Sequence, residues 1–135
     1  MNGDGTFYIA YEDDADKNGV YRVKARGYNA AGTQIFADTH ISAAGEKISN
    51  PVVCVAASGN AVFGWHAAGL NNGDIRRRSY NLADKKLGDA ANANSVTTGI
   101  QRQPALGCTD AGKTVWLWSD DIDGNGYYEI YGRGL

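Results

Sequence analysis

The sequence predicts an all-β fold of repeated four-stranded antiparallel units, β-propeller-like, with about two and a half units per chain. Three observations lead to this prediction. Glycine is abundant and proline is scarce, at 18 and 2 of 135 residues, as in chains with many tight turns. Aromatic residues reach 10%, which supplies side chains for a packed core. A sequence pattern also recurs every 53 to 54 residues, and four strands in a repeat of that order are typical of propellers.

The repeat is defined by three blocks that recur in the same order. The anchors of the first block are Tyr11, Trp65 and Trp118. In all three units a glycine occurs at the same distance before the anchor, and another occurs at the same distance after it. The second block matches SNPVVCVAASG (49–59) to RQPALGCTDAG (102–112). The third block places ARGYNAAG (25–32), RRSYNLAD (77–84) and YGRGL (131–135) in equivalent positions. We therefore treat the chain as a single repeat domain with units at about 1–49, 50–102 and 103–135.

Each complete unit is predicted to hold four strands, A to D. Strand A is an apolar run that ends at a Ser-Gly turn, and strand C alternates apolar with charged residues, as a half-buried strand does. The second unit provides an example of strand A, NPVVCVA (50–56), and of strand B, AVFGW (61–65). The first unit provides an example of strand C, VYRVKARGY (20–28), and of strand D, TQIFADTHI (33–41). The chain then runs B, C, D, then A, B, C, D, then A, B, C, which gives ten strands. A stacked β-solenoid is the alternative architecture.

The charge and hydropathy of the chain restrict its partners. With 13 basic and 15 acidic residues the net charge is -2, which argues against nucleic-acid binding. Apolar runs stay well short of the roughly 18 residues that a membrane helix needs. The start, MNGDGTFYIA, lacks the basic and apolar regions of a signal peptide, so a secreted form of this chain would be a processed or trimmed one.

The strongest chemical motif is DIDGNGYYEIYG, residues 121–132. Oxygen ligands fall at loop positions 1, 3, 5, 7 and 9, where Ca²⁺ would find the six to eight oxygens it prefers. These ligands are Asp121, Asp123, Asn125, the carbonyl of Tyr127, and Glu129. A weaker site is expected in the first unit, with Asp14, Asp16 and Asn18 but with Arg22 at position 9. The second unit has Ala68, Leu70, Asn72 and Arg76 there and is not expected to bind. A purely polar hairpin turn is the alternative.

This loop resembles the calcium loop of FG-GAP repeats in integrin-type β-propellers, although the FG-GAP tripeptides themselves are absent. The resemblance implies that Ca²⁺ is held in a β-hairpin by the five residues from Asp121 to Glu129 named above. The pattern NPVVCVAASGNAVFGW, followed by a charged strand and ARGYNAAG, resembles repeats of large secreted bacterial propellers over nearly the whole chain. That second resemblance implies a secreted or cell-surface protein.

Catalytic signatures are weak in the sequence. His40 and His66 lie in different blocks without a ligand-spaced partner, and no G-x-S-x-G motif occurs. We therefore expect no enzyme but a non-catalytic extracellular module for protein assembly or adhesion, calcium-stabilised, which self-associates or joins a larger propeller. The alternative is a lectin-like glycan-binding module. In either case Tyr128 and Tyr131, beside the acidic loop, are the candidate contacts for a glycan or protein ligand.

The sequence also predicts structural roles for three further sets of residues. Cys54 and Cys108 lie in the two A strands, one residue out of register, and we predict that they are buried free thiols. The anchors Tyr11, Trp65 and Trp118 are expected to pack within the repeat. The arginines that recur near the end of strand C are expected to brace the neighbouring unit, and they are Arg26, Arg78 and Arg133.

Overall fold

A computed structural model describes residues 1–69 and 73–135, and within these ranges the regular structure consists of β-strands. The first sheet holds β1 (Phe7–Asp13), β2 (Arg22–Tyr28) and β3 (Gln34–His40). The second holds β4 (Ile48–Val55), β5 (Ala61–Ala67), β6 (Asp74–Asn81), β7 (Lys86–Leu87) and β8 (Ala91–Asn92). The third holds β9 (Ile100–Cys108), β10 (Thr114–Asp121) and β11 (Glu129–Gly134). The described part of the chain offers no helix long and apolar enough to cross a membrane.

All strand pairs are antiparallel, and the all-β prediction is confirmed. The sheets follow the chain order that the repeat predicts, with one difference. Strand D of the second unit is split into β7 and β8, which both pair with β6, so the described residues form eleven strands instead of the ten predicted. The interruption falls at Gly88 and Asp89, residue types that are depleted in strands.

The core lies between successive sheets. Aromatic rings of the first and second sheets meet in one cluster, where the Phe36 and Tyr80 ring centroids lie 4.3 Å apart. A second cluster joins the second and third sheets around Trp116, which is fully buried. Two of the three anchors, Trp65 and Trp118, lie in these clusters as predicted, whereas the first-sheet anchor Tyr11 is only partly buried.

The antiparallel order gathers the loops at the two ends of the strands. The A–B hairpins and C–D turns lie at one end. The B–C and D–A loops lie at the other end, and their described residues are 14–21, 41–47, 68–69, 73, 93–99 and 122–128.

The prediction of free thiols is wrong, because Cys54 in β4 and Cys108 in β9 form a disulfide with their Cα atoms 5.9 Å apart. Neither residue is fully buried. The two strands belong to different sheets and lie side by side. Because the two cysteines are one residue out of register, they lie on the facing sides of neighbouring sheets, and their sulfur atoms meet between the sheets.

The repeated arginines behave largely as expected. Arg78 Nη1 donates a hydrogen bond to the carbonyl of Ile41 at 3.1 Å, and Arg133 Nη1 donates to the carbonyl of Ala93 at 3.2 Å. Each acceptor follows the outer strands of the preceding sheet, so both arginines link neighbouring units. Arg26 instead pairs with Asp38 of its own sheet at 2.9 Å.

Candidate functional site

Each of the three repeated anchors donates a hydrogen bond to a carboxylate. Trp65 Nε1 donates to Glu46 Oε2 at 3.2 Å, and Trp118 Nε1 donates to Asp120 Oδ2 at 3.0 Å. The Tyr11 hydroxyl donates to Asp38. The sequence revealed the anchors as packing residues but not these partners, because the carboxylates do not share the spacing of the repeat.

A buried polar network ties the D–A loop of the second unit to the strands around it. Asn94 Nδ2 donates to Asp74 Oδ1 at 2.7 Å and also lies 3.3 Å from Gln101 Oε1. Gln101 Nε2 donates to Asp120 Oδ1 at 3.0 Å. Asp74 and Asp120 are only 1% and 2% exposed, so this chain of amides connects two carboxylates inside the protein. Sequence reasoning missed all four residues.

The β10–β11 hairpin adds a second set of groups on the face that carries Asp120. Trp118 lies directly across from Tyr131, and Asp120 lies directly across from Glu129. Directly opposite residues of an antiparallel pair share a face, so two aromatic rings and two carboxylates lie together. Beside them is a cavity of about 180 Å³, which we call the hairpin cavity, lined by Ser95, Val96, Trp118, Asp120, Ile122, Tyr131, Gly132 and Arg133.

The electrostatics of the hairpin cavity follow from this arrangement. The carboxylate of Glu129, together with partial burial and the nearby Asp120, raises the pKa of the Tyr131 hydroxyl above its ordinary value. The hydroxyl therefore stays protonated at neutral pH and can donate a hydrogen bond. Arg133 adds a cation at the lining. The cavity thus combines an aromatic ring, acceptors and donors within one small space.

The two predicted ligand contacts lie in different places. Tyr131 lines the hairpin cavity and is 38% exposed. Tyr128 instead lies against the guanidinium of Arg102, 3.5 Å from the centre of its ring, an attractive cation–π contact. One face of the Tyr128 ring is therefore covered by the protein itself, and Tyr131 is the better placed of the two.

The predicted calcium loop closes through hydrogen bonds of its own acidic and amide side chains. Gly126 N donates to Asp121 Oδ2 at 3.1 Å, and Asn125 Nδ2 donates to Asp123 Oδ2 at 2.7 Å. Tyr127 N donates to Asn125 Oδ1 at 2.8 Å. These contacts close a polar turn whose oxygens already face backbone and side-chain donors.

The equivalent loop of the first unit has the same bonds. Gly19 N donates to Asp14 Oδ2 at 3.1 Å, Asn18 Nδ2 to Asp16 Oδ2 at 2.8 Å, and Val20 N to Asn18 Oδ1 at 2.7 Å. The two loops are therefore structural equivalents, as the repeat predicts. In the second unit, Leu70 and Asn72 lie outside the described residues.

The fifth predicted calcium ligand, Glu129, faces the hairpin cavity side, where it lies opposite Asp120 and 3.5 Å from the Tyr131 hydroxyl. Alternation along β10 turns Asp121 to the other face. Across residues 1–69 and 73–135, no three His, Cys, Asp or Glu side chains come close enough to hold a metal ion. Calcium binding by this loop stays a prediction.

Comparison with known proteins gives the fold. No protein-family model matches the sequence, and no curated protein matches it. Among solved structures, the crystal structure of an endo-arabinase from Bacteroides thetaiotaomicron is similar, with a TM-score of 0.62 and 16% sequence identity. The similarity covers 99% of this chain and 54% of that one, so this chain spans about half the length of the endo-arabinase. At this identity the match shows a shared fold.

The expectation that the protein is no enzyme is corrected by this match, because the chain with the similar fold is an enzyme by name. Nucleophile motifs and clustered histidines mark only some classes of enzyme, whereas glycoside hydrolases ordinarily act through a pair of carboxylates that no short motif reveals.

Proposed function

We propose that this protein recognises a saccharide through the hairpin cavity. The observation that supports the proposal is the set of two cross-strand pairs, Trp118 with Tyr131 and Asp120 with Glu129, on one face beside that cavity. The fold likeness to an endo-arabinase suggests the ligand class to try first, which is polysaccharides that contain arabinose.

The chemistry of the cavity suits a polyhydroxylated ring. An exposed tyrosine ring offers a flat apolar surface for the C–H groups of a sugar, and carboxylates accept hydrogen bonds from its hydroxyl groups. Each hydrogen bond to a charged group contributes about 1.5–3 kcal/mol. At about 180 Å³, the cavity is smaller than pockets for drug-sized ligands, which suits one ring at the end of a longer chain.

A hydrolytic role rests on the pair Asp120 and Glu129. Cross-strand partners have Cβ atoms about 4.5–5.5 Å apart, which keeps the two side chains close enough to act on one glycosidic bond, as the paired carboxylates of glycoside hydrolases do. Asp120 is buried and Glu129 is exposed. This difference in environment is one way in which two carboxylates take different roles as acid and base.

The wider architecture is proposed to be β-propeller-like and extracellular, with calcium bound in the β10–β11 loop and with adhesion as an alternative use of the surface. The innermost strands of successive sheets, β1, β4 and β9, lie side by side, which supports a radial arrangement. The disulfide supports an oxidising location at the cell surface or outside the cell.

The test is a glycan array that includes arabino-oligosaccharides, run with and without EDTA, together with an assay for newly released reducing ends. Tyr131→Ala is expected to weaken saccharide binding at least tenfold. Tyr127→Ala removes the ring of an 81% exposed tyrosine in the same hairpin, so it serves as the matched control and is expected to bind normally. Absence of binding and of hydrolysis by the parent protein would overturn the proposal.

A further inference from the structure

The two faces of the middle sheet pack against different neighbours: one face packs on the preceding sheet and the other on the following sheet. In β5, Phe63 and Trp65 point into the cluster shared with the first sheet, whereas Val62 packs into the cluster of the third sheet. Alternation along the strand separates the two sets. We call the face with Phe63 and Trp65 the backward face, and the face with Val62 the forward face.

The repeat extends these names to the other sheets. The backward positions are Ile9 and Tyr11 in β1 and Trp116 and Trp118 in β10, and both tryptophans pack toward the second sheet as the rule requires. The forward positions equivalent to Val62 are Tyr8 and Val115. Tyr8 obeys the rule, since its ring lies 6.0 Å from that of Phe63 on the second sheet.

Two faces remain exposed to solvent under this rule. On the backward face of the first sheet, Ile9 is 48% exposed. On the forward face of the third sheet, Val115, Leu117 and Ile130 are 56%, 46% and 74% exposed. Ala105, Leu117 and Ile130 also line a groove of about 260 Å³ there. Contiguous exposed apolar residues of this kind mark interaction surfaces.

The sizes of facing residues indicate what covers these surfaces. Between the second and third sheets, Gly64 lies against Trp116, and a Cβ at Gly64 would lie only 2.4 Å from that ring. Between the first and second sheets, the equivalent small residue is Ala10, which packs against the cluster that contains Phe63. A small forward residue thus faces a large backward one.

At the equivalent positions, the two exposed faces have side chains of intermediate size. Leu117 is the forward residue equivalent to Gly64, and Ile9 is the backward residue equivalent to Trp116. A leucine and an isoleucine fill a space comparable to a glycine with a tryptophan, so the third sheet suits the first sheet of this same sequence. Two of the basic residues on this face are already paired, Arg26 with Asp38 and Lys24 with Asp13, which lowers the electrostatic cost of the contact.

We propose that two copies of this chain associate head to tail. The forward face of the third sheet in each copy packs on the backward face of the first sheet in the other, with Leu117 against Ile9. Two copies hold six sheets, within the four to eight that propellers ordinarily contain. The two contacts are related by a two-fold axis, because Leu117 of each copy meets Ile9 of the other, and the ring therefore closes with two copies.

The test measures mass in solution by light scattering and sedimentation. The parent protein is expected at twice the chain mass of 14.4 kDa. Ile9→Arg and Leu117→Arg are each expected to give monomers with unchanged circular dichroism, because both positions are exposed. Tyr21→Arg, at a tyrosine that is 46% exposed away from both faces, is the control and is expected to stay dimeric.

Mixing the two monomeric variants tests the direction of the contact. The Ile9→Arg chain keeps an intact third sheet and the Leu117→Arg chain keeps an intact first sheet. The mixture is therefore expected to form a heterodimer through one intact interface. A monomeric parent protein at high concentration would overturn the proposal, and so would a mixture that stays monomeric.

Discussion

Trp118 Nε1 donates a hydrogen bond at 3.0 Å to Asp120 Oδ2, two residues further along β10. Residues two apart on a strand share a face, so the two side chains lie on the same side of the sheet and can meet. Asp120 Oδ1 accepts a second bond from Gln101 Nε2 at 3.0 Å. The carboxylate is thereby held in one orientation by two donors, which gives the hairpin cavity a fixed acceptor.

Asp120→Asn is expected to lower the free energy of unfolding by about 1–3 kcal/mol, because an amide nitrogen would face one of these two donors in a buried place. Urea unfolding measures the change. Asp123→Asn changes an exposed carboxylate of the same hairpin and is the control, with an expected effect below about 0.5 kcal/mol. Equal stability of the Asp120→Asn and parent proteins would contradict the role of this contact.

The close approach of Gly64 to Trp116 makes a second prediction. Gly64→Ala would place a methyl group 2.4 Å from Trp116 Cζ3 and 3.0 Å from Val52 Cγ2, so the sheets must move apart. We expect a loss of about 1–3 kcal/mol in the free energy of unfolding, measured by thermal or urea unfolding.

Gly107→Ala is the matched control for this substitution. Gly107 also lies within a strand, but its added Cβ would meet nothing within 4 Å. Alanine restricts the unfolded chain more than glycine does, so this variant is expected to be neutral or slightly more stable. A result in which both alanine variants lose equal stability would show that packing against Trp116 is not the cause.

The disulfide has a measurable effect on stability. Cys54 and Cys108 are 54 residues apart, and closing a loop of that length in the unfolded chain stabilises the folded state by about 4 kcal/mol. The double variant Cys54→Ala/Cys108→Ala is expected to lose roughly that amount in chemical unfolding. Dithiothreitol should destabilise the parent protein and leave the double variant unchanged. Two titratable thiols in the unreduced, unfolded parent would contradict the bond.

The contrast between predicted and observed features follows from what periodicity encodes. The alternation in residues 20–28 and the apolar run at 50–56 report burial on a strand, so strand positions and sheet order were predictable. Partner choice across sheets is set by how the sheets stack, which is why the Cys54–Cys108 bond was missed. Asn94 was missed for a similar reason, because its partners Asp74 and Gln101 meet it only through the course of a loop.

The pH dependence of stability gives a further prediction through His66. Burial, and next the charge of Arg102, lower the pKa of His66 from its ordinary value of 6.5. As the pH falls through that value, the unfolded chain binds a proton at His66, whereas the folded protein keeps the ring neutral to lower pH. The free energy of unfolding is therefore expected to be at its full value above pH 6.5 and to decrease as the pH falls below it.

Urea unfolding at about pH 7.5, 6 and 5 measures this slope. His66→Gln is expected to flatten it, and adding His40→Gln to flatten it further, since the pKa of His40 is also lowered by burial and by Arg22 and Lys24. An identical slope for the parent protein and His66→Gln would contradict the assignment.

The two equivalent hairpin loops allow a sharp test of calcium binding. They share the same internal hydrogen bonds, but position 9 is Glu129 in the third unit and Arg22 in the first. A cation at that position repels Ca²⁺, whereas a nearby carboxylate attracts it. Calorimetric titration with CaCl₂ is therefore expected to show the third-unit site as the tighter one. Asp123→Ala should remove it, and the matched first-unit variant Asp16→Ala should leave it unchanged, while a parent protein that releases no heat with Ca²⁺ would rule the site out.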